Sequence, residues 1–212
     1  LASLERTQGR AVGQARQEVE EALRARVRTT PFAVDPFDSS RVRDGRLAFI
    51  DRRFLRPALR SLVTDRDSGI ALLQVRGPAR SGKSYTRQLI EHVRQARRDF
   101  HLAYLPVFGA SLNDHQLAER IVHRLGIVAE VPTAASFQPP LAPQRYTERI
   151  GRWLLDRVVA SEKRYCLIID GIDAADLRDS AQILLHGLVD AISGGVHQRH
   201  LRLVLLDCSW GL

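Results

Sequence analysis

The chain has 212 residues, 44% of them hydrophobic and 26% charged, which is ordinary globular usage and excludes wholesale disorder. That length suits one domain with an appendage. Basic residues outnumber acidic ones 32 to 24, for a net charge of +8. The arginines are spread along the chain among acids, and aromatics are only 6%, so solvated faces are favoured over a nucleic-acid surface.

Residues 3–28 form a helix-favouring stretch whose narrow stripe of Leu4, Ala11, Ala15, Val19, Ala22, Leu23 and Val27 suits a partner helix or a second copy better than a core. A helical arm over 1–28 is therefore expected, followed by a linker over 29–45, where Pro31, Asp35, Pro36, Asp38, Ser39 and Ser40 break the pattern. A short helix is predicted over 51–64. Then strands at 70–75, 102–108, 165–169 and 201–206 alternate with helices at 83–97, 113–125, 144–159 and 174–192, with a Pro-rich break over 126–143. Strands that are apolar along their whole length and bounded by helices argue for an α/β fold with a parallel sheet covered on both faces.

Directly after the first strand stands Gly77-Pro78-Ala79-Arg80-Ser81-Gly82-Lys83-Ser84, a GxxxxGK[ST] octet followed by Tyr85 and opening a helix. Glycines let successive amides turn inward as an anion nest, and the helix start adds unpaired N–H groups and its positive dipole end. Lys83 can then reach nucleotide phosphates as a compact charge, and Ser84 offers a hydroxyl to Mg²⁺. A chance match is expected in roughly one such chain per thousand. The chain has only two lysines, Lys83 and Lys163, amid many arginines. One of the two occupies the clamp position, where arginine is no substitute.

The Mg²⁺ site needs a second group, an acid at the end of another buried strand. Tyr165-Cys166-Leu167-Ile168-Ile169-Asp170 supplies Asp170. Gly171, Ile172 and Asp173 follow. Asp173 has two readings of equal weight, activation of the attacking water or an N-cap for helix 174–192.

GPARSGKS, with YCLIIDGID about ninety residues later, resembles the P-loop NTPases of the AAA+ and STAND group. The DGID element is similar to the hhhhDGhD form of NACHT-like STAND signalling ATPases. The resemblance implies a three-layer α/β/α P-loop NTPase core with a mostly parallel sheet over residues 46–212. It also implies ATP with Mg²⁺ and slow hydrolysis serving a regulatory switch. Phe49-Ile50-Asp51-Arg52 resembles the segment lining the adenine pocket in these families, which implies a contact from Ile50 and Arg52. Two departures stand out. The fourth strand runs into Asp207-Cys208-Ser209, where such families usually place a polar or basic sensor for the γ-phosphate, a role open to Asp207 or Ser209 although neither is the expected arginine. The chain stops at Leu212, before a lid.

Competing expectations are an AAA+-type ATPase acting on DNA and an ATP-binding scaffold that does not hydrolyse. A GTPase is disfavoured, because no DxxG or NKxD is present. No apolar run reaches the roughly 18 residues of a membrane span. Cys166 and Cys208 are expected as small core residues in a reducing, cytoplasmic setting. The absence of methionine suggests a piece of a longer protein. The seven histidines show no metal-ligand spacing, and His197 and His200 are expected as solvated loop residues.

Overall fold

The computed structural model describes residues 35–39, 41–42, 47–48, 53–64, 70–78, 81–137, 139, 141–195 and 197–210. The expected arm over 1–28 lies outside these residues, as do Ile50, Arg52, Ala79 and Arg80. In chain order the elements are β1 (Arg41–Val42), β2 (Leu47–Ala48), α1 (Leu55–Thr64), β3 (Leu72–Val75), α2 (Tyr85–Arg97), β4 (His101–Pro106) and β5 (Ser111–Leu112). After these come α3 (Asp114–Leu125), α4 (Pro143–Ala160), β6 (Tyr165–Asp170), β7 (Asp176–Leu177), α5 (Asp179–Ser193) and β8 (Leu201–Leu206). The chain is thus α/β, as its strand–helix alternation predicts.

The main sheet has the order β3-β8-β6-β4, and every pairing in it is parallel. Its central strands β6 and β8 are buried at all six positions, which is why they are apolar throughout rather than alternating. The side-chain alternation of a strand divides them between two cores. Leu167, Ile169, Leu203 and Leu205 face α3, α4 and α5 through residues such as Ile121, Leu154 and Leu185. Cys166, Ile168, Val204 and Leu206 face α1 and α2 through Leu62, Leu89 and Val93. Helices therefore cover both faces. Each fully buried leucine or isoleucine contributes about 1.5–3 kcal/mol of apolar transfer.

Local signals mark several boundaries. Asn113 and Gln116 form a capping box at the start of α3, and Gly126 closes that helix in a left-handed conformation. Pro143 opens α4, at the position where its missing N–H costs nothing. Two expectations change. The helix expected from residue 174 begins at Asp179, because Ile172–Ala174 form a 3-10 turn and β7 pairs with β5 first. Within the stretch expected as a linker, Phe37 and Val42 are buried in the second core beside Leu59. Arg56 ties that stretch to α1 by donating to the carbonyls of Phe37 and Ser39.

Cys166 and Cys208 are buried free thiols. Burial pushes the Cys166 thiol up to about 12, which keeps it neutral, while Arg202 opposes the shift. No described helix is long and apolar enough to cross a membrane.

Candidate functional site

Three adjacent parallel strands bring Lys83, Ser84, Asp170 and Asp173, among the expected residues that are described, to one edge of the sheet. Because β8 lies between β3 and β6, the loop after β3, the end of β6 and the turn after β8 are neighbours. This is the carboxyl edge of the strands, where parallel α/β sheets hold their ligands.

The loop between β3 and α2 is built by its glycines. Gly82 has φ 77°, a left-handed conformation that suits glycine. A Cβ on Gly77 would come within 2.8 Å of the Ser81 hydroxyl. The amide of Ser81 donates to the Pro78 carbonyl, and those of Tyr85 and Thr86 donate to Gly82 and Lys83, closing the first helical turn. Ser84 is the N-cap of α2 and exposed, so its hydroxyl is free of any capping bond. Tyr85, the first residue of α2, is also exposed. Lys83 is only 6% exposed, and its ammonium donates to the carbonyls of Gly77 at 2.8 Å and Pro78 at 2.7 Å. A third contact, an ion pair of 2.7 Å, joins Lys83 to Asp207.

Asp170 ends β6 and is 0% exposed. One carboxylate oxygen, Oδ2, accepts a hydrogen bond of 3.0 Å from the Tyr104 hydroxyl. The other, Oδ1, is buried without a hydrogen-bond partner. Burial raises the Asp170 pKa above its usual value, with hydrogen bonds from Tyr104 and Ser84 opposing and the nearby Asp207 carboxylate reinforcing. Ser84 and Asp170, the two expected metal ligands, are therefore neighbours. Tyr104 is itself shifted upward by burial and by its bond to Asp170, and the Arg87 guanidinium lies 3.9 Å from its ring centroid.

A buried carboxylate oxygen with no partner beside a serine hydroxyl fits a divalent cation, whose ligands are hard oxygens. The glycine loop with the Lys83 ammonium stands next to it. Among the described residues, no cluster of three or more His, Cys, Asp or Glu forms a separate metal site.

Asp173 is exposed and sits in the 3-10 turn after Asp170, far from α5 in sequence, so it does not cap that helix. Its Oδ1 accepts from the backbone N–H of Ser209 at 2.8 Å and from the Ser209 hydroxyl at 3.0 Å. Its own N–H donates to the Asp207 carbonyl. Asp173 thus fastens the turn after β6 to the turn after β8. Gln74 and Arg76 fasten the same turn from the β3 side, donating to the carbonyls of Cys208 and Trp210.

Gly171 joins the two acids with φ 84°, and a Cβ there would fall 2.2 Å from the Phe108 ring. Gly171→Ala therefore meets a left-handed backbone penalty and must also push out a ring that is half exposed and free to swing. The expected cost is about 1–2 kcal/mol, or a fall of roughly 2–8 °C in melting temperature by circular dichroism. An unchanged melting curve would contradict the close approach.

Sequence reasoning missed Tyr104 and Arg87 as neighbours of Asp170. Tyr104 pairs in register with Ile168, two residues before Asp170, so the contact depends on strand register, which no local pattern reveals. The solvated-loop reading of His197 and His200 changes too, since each has its Nδ1 buried.

No protein-family model, curated protein or solved structure matches the chain.

Proposed function

We propose that this chain is a P-loop NTPase core of the three-layer α/β/α type that binds ATP with Mg²⁺ and works as a STAND-like, nucleotide-dependent regulatory switch within a larger protein. The observation that carries the reading is the meeting of Lys83 and Asp170 at one sheet edge. Motifs about ninety residues apart there place a buried ammonium in a glycine loop near a buried, partly unpartnered carboxylate.

In this reading, the amides of the 77–84 loop and the start of α2 bind the phosphate chain, and Lys83 neutralises its charge. Ser84 and Asp170 would hold Mg²⁺, which when bound supplies charge neutralisation at the phosphate oxygens. Tyr104 orients the Asp170 carboxylate through Oδ2, leaving Oδ1 for the cation. The protein partner or second copy is assigned to residues 3–28, and the setting to the cytoplasm. Ile50 and Arg52 are assigned to the adenine pocket.

Hydrolysis is slow in this account, with Asp173 positioning water. The bonds from Ser209 to Asp173 favour a second reading, in which that carboxylate is structural and the chain is an ATP-binding scaffold. Asp173→Asn separates the two, since an amide oxygen still accepts from Ser209 but cannot serve as a base. The experiment is a binding titration with fluorescent ATP alongside phosphate release. If Asp173 handles the water, Asp173→Asn keeps affinity within about twofold and lowers phosphate release by about a hundredfold. Equal, background-level release from wild type and variant identifies the scaffold. Failure of the wild type to bind ATP would overturn both.

A further inference from the structure

We propose that Asp207 is an internal anion that locks the phosphate loop, so that a nucleotide enters only by taking Lys83 away from it. The inference rests on the nucleotide reading and concerns the regulation of that site.

A lysine ammonium has three N–H donors and no more. In this structure three acceptors stand around Lys83: the carbonyls of Gly77 and Pro78, and Oδ1 of Asp207. With its side chain only 5% exposed, the ammonium has little room for water as a fourth partner. A phosphate can therefore be gripped by Lys83 only if one of these contacts is given up. The carbonyls belong to the loop itself. Asp207 belongs to the turn after β8 and carries the charge sign of the phosphate, so it is the contact that phosphate replaces.

Asp207 is not a side chain that has drifted onto a nearby lysine. Its backbone has φ 51°, a left-handed conformation in which aspartate is one of the few residues tolerated. It is held there from two sides. The N–H of Asp173 donates to the Asp207 carbonyl and the Asp173 carboxylate accepts from Ser209, two residues on, while Gln74 and Arg76 donate to the carbonyls of Cys208 and Trp210. Three side chains, those of Asp173, Gln74 and Arg76, and the backbone N–H of Asp173 thus set the turn that aims this carboxylate at Lys83.

Release of Lys83 has a second consequence. Asp207 directly follows Leu206, the register partner of Asp170, so the two carboxylates stand on neighbouring strand ends. Once Lys83 turns to phosphate, the Asp207 carboxylate is left unpaired beside both Asp170 and a polyanion. Such like-charge repulsion is relieved by a divalent cation. The lock therefore makes nucleotide entry strongly dependent on Mg²⁺. A partner that pulled on the 207–210 turn would raise affinity without touching the loop.

The test compares ATP affinity of the whole chain and of Asp207→Asn, in Mg²⁺ and in EDTA, by calorimetry. Asparagine tolerates the left-handed backbone and keeps the side-chain volume, so the turn is retained. Asp207→Ser, also able to bond locally, is the second variant should the first melt early. The expected result is ATP binding about tenfold tighter in EDTA for the variants, with a smaller gain in Mg²⁺. Inorganic pyrophosphate, which has the phosphates without the base, is expected to show the same ordering. Variant affinities equal to or weaker than wild type, with the wild type binding ATP, would overturn the lock alone. No ATP heat from the wild type or either variant would overturn the nucleotide reading and the lock with it.

Discussion

Lys83→Ala is expected to weaken ATP binding by about a hundredfold or more, to below detection in a standard titration. The side chain is a buried ammonium, and in the proposed site each charge-assisted bond from it to phosphate would be worth about 1.5–3 kcal/mol. Lys83→Arg is expected to fare little better, because a planar guanidinium does not fit the space in which the ammonium meets the Gly77 and Pro78 carbonyls. The alanine variant also strands Asp207, which loses its ion-pair partner. Melting curves of Lys83→Ala alone and combined with Asp207→Asn separate a folding defect from a binding defect. If the double variant melts like the wild type and still fails to bind, the loss belongs to the phosphate site. ATP binding that persists at wild-type strength in Lys83→Ala would remove Lys83 from that site.

Asp170→Asn is expected to do two opposite things. It removes the anionic oxygen assigned to Mg²⁺, so the gain in ATP affinity that Mg²⁺ confers on the wild type falls by about tenfold or more. In the absence of metal and nucleotide it is expected to melt higher than the wild type at neutral pH. The sign follows from the raised pKa of the buried carboxyl. A carboxyl that titrates higher folded than unfolded favours folding while protonated, below its unfolded pKa of about 4, and that contribution is lost as pH rises through the folded value. Asparagine does not ionise, so the advantage of the variant grows with pH across that window and then levels off. The amide oxygen can still accept from Tyr104. A variant that loses Mg²⁺ dependence and gains stability has surrendered a functional group. One that loses stability and keeps its Mg²⁺ dependence would show Asp170 to be structural.

Much of this arrangement is legible in the sequence because the inner strands lack alternation. β6 and β8 are sandwiched between helices, so all of their positions favour apolar residues, and such runs stand out from amphipathic helices. The expected strand over 201–206 coincides with β8 for this reason. The glycine loop is legible because its backbone demands particular residues at fixed spacing, with Gly82 as the clearest case. The start of α5 is not. Ile172, Ala174 and Ala175 look like the opening of an apolar helix face, whereas β5 and β7 exchange a pairing of two residues each, too short for any period to show. Phe37 and Val42 were hidden among turn-forming neighbours. The pairing of Lys83 with Asp207 is the deepest omission. It depends on β8 entering the sheet between β3 and β6, a choice of strand order that local composition does not encode.

The expected roles of Asp173 show the same limit from the other side. A water-activating acid and a helix cap both suit an aspartate three residues after a strand end. The structure removes the cap, and it gives the carboxylate to Ser209. One hydrogen-bonded acid thereby links the turns after β6 and β8, and through Asp207 it reaches Lys83.

The most direct measurement is titration calorimetry of the whole wild-type chain with ATP and with GTP, each in excess Mg²⁺. Saturable heat with ATP at micromolar concentrations and none with GTP is the predicted result. Absence of heat with both nucleotides, in a chain shown to be folded by circular dichroism, would contradict the account.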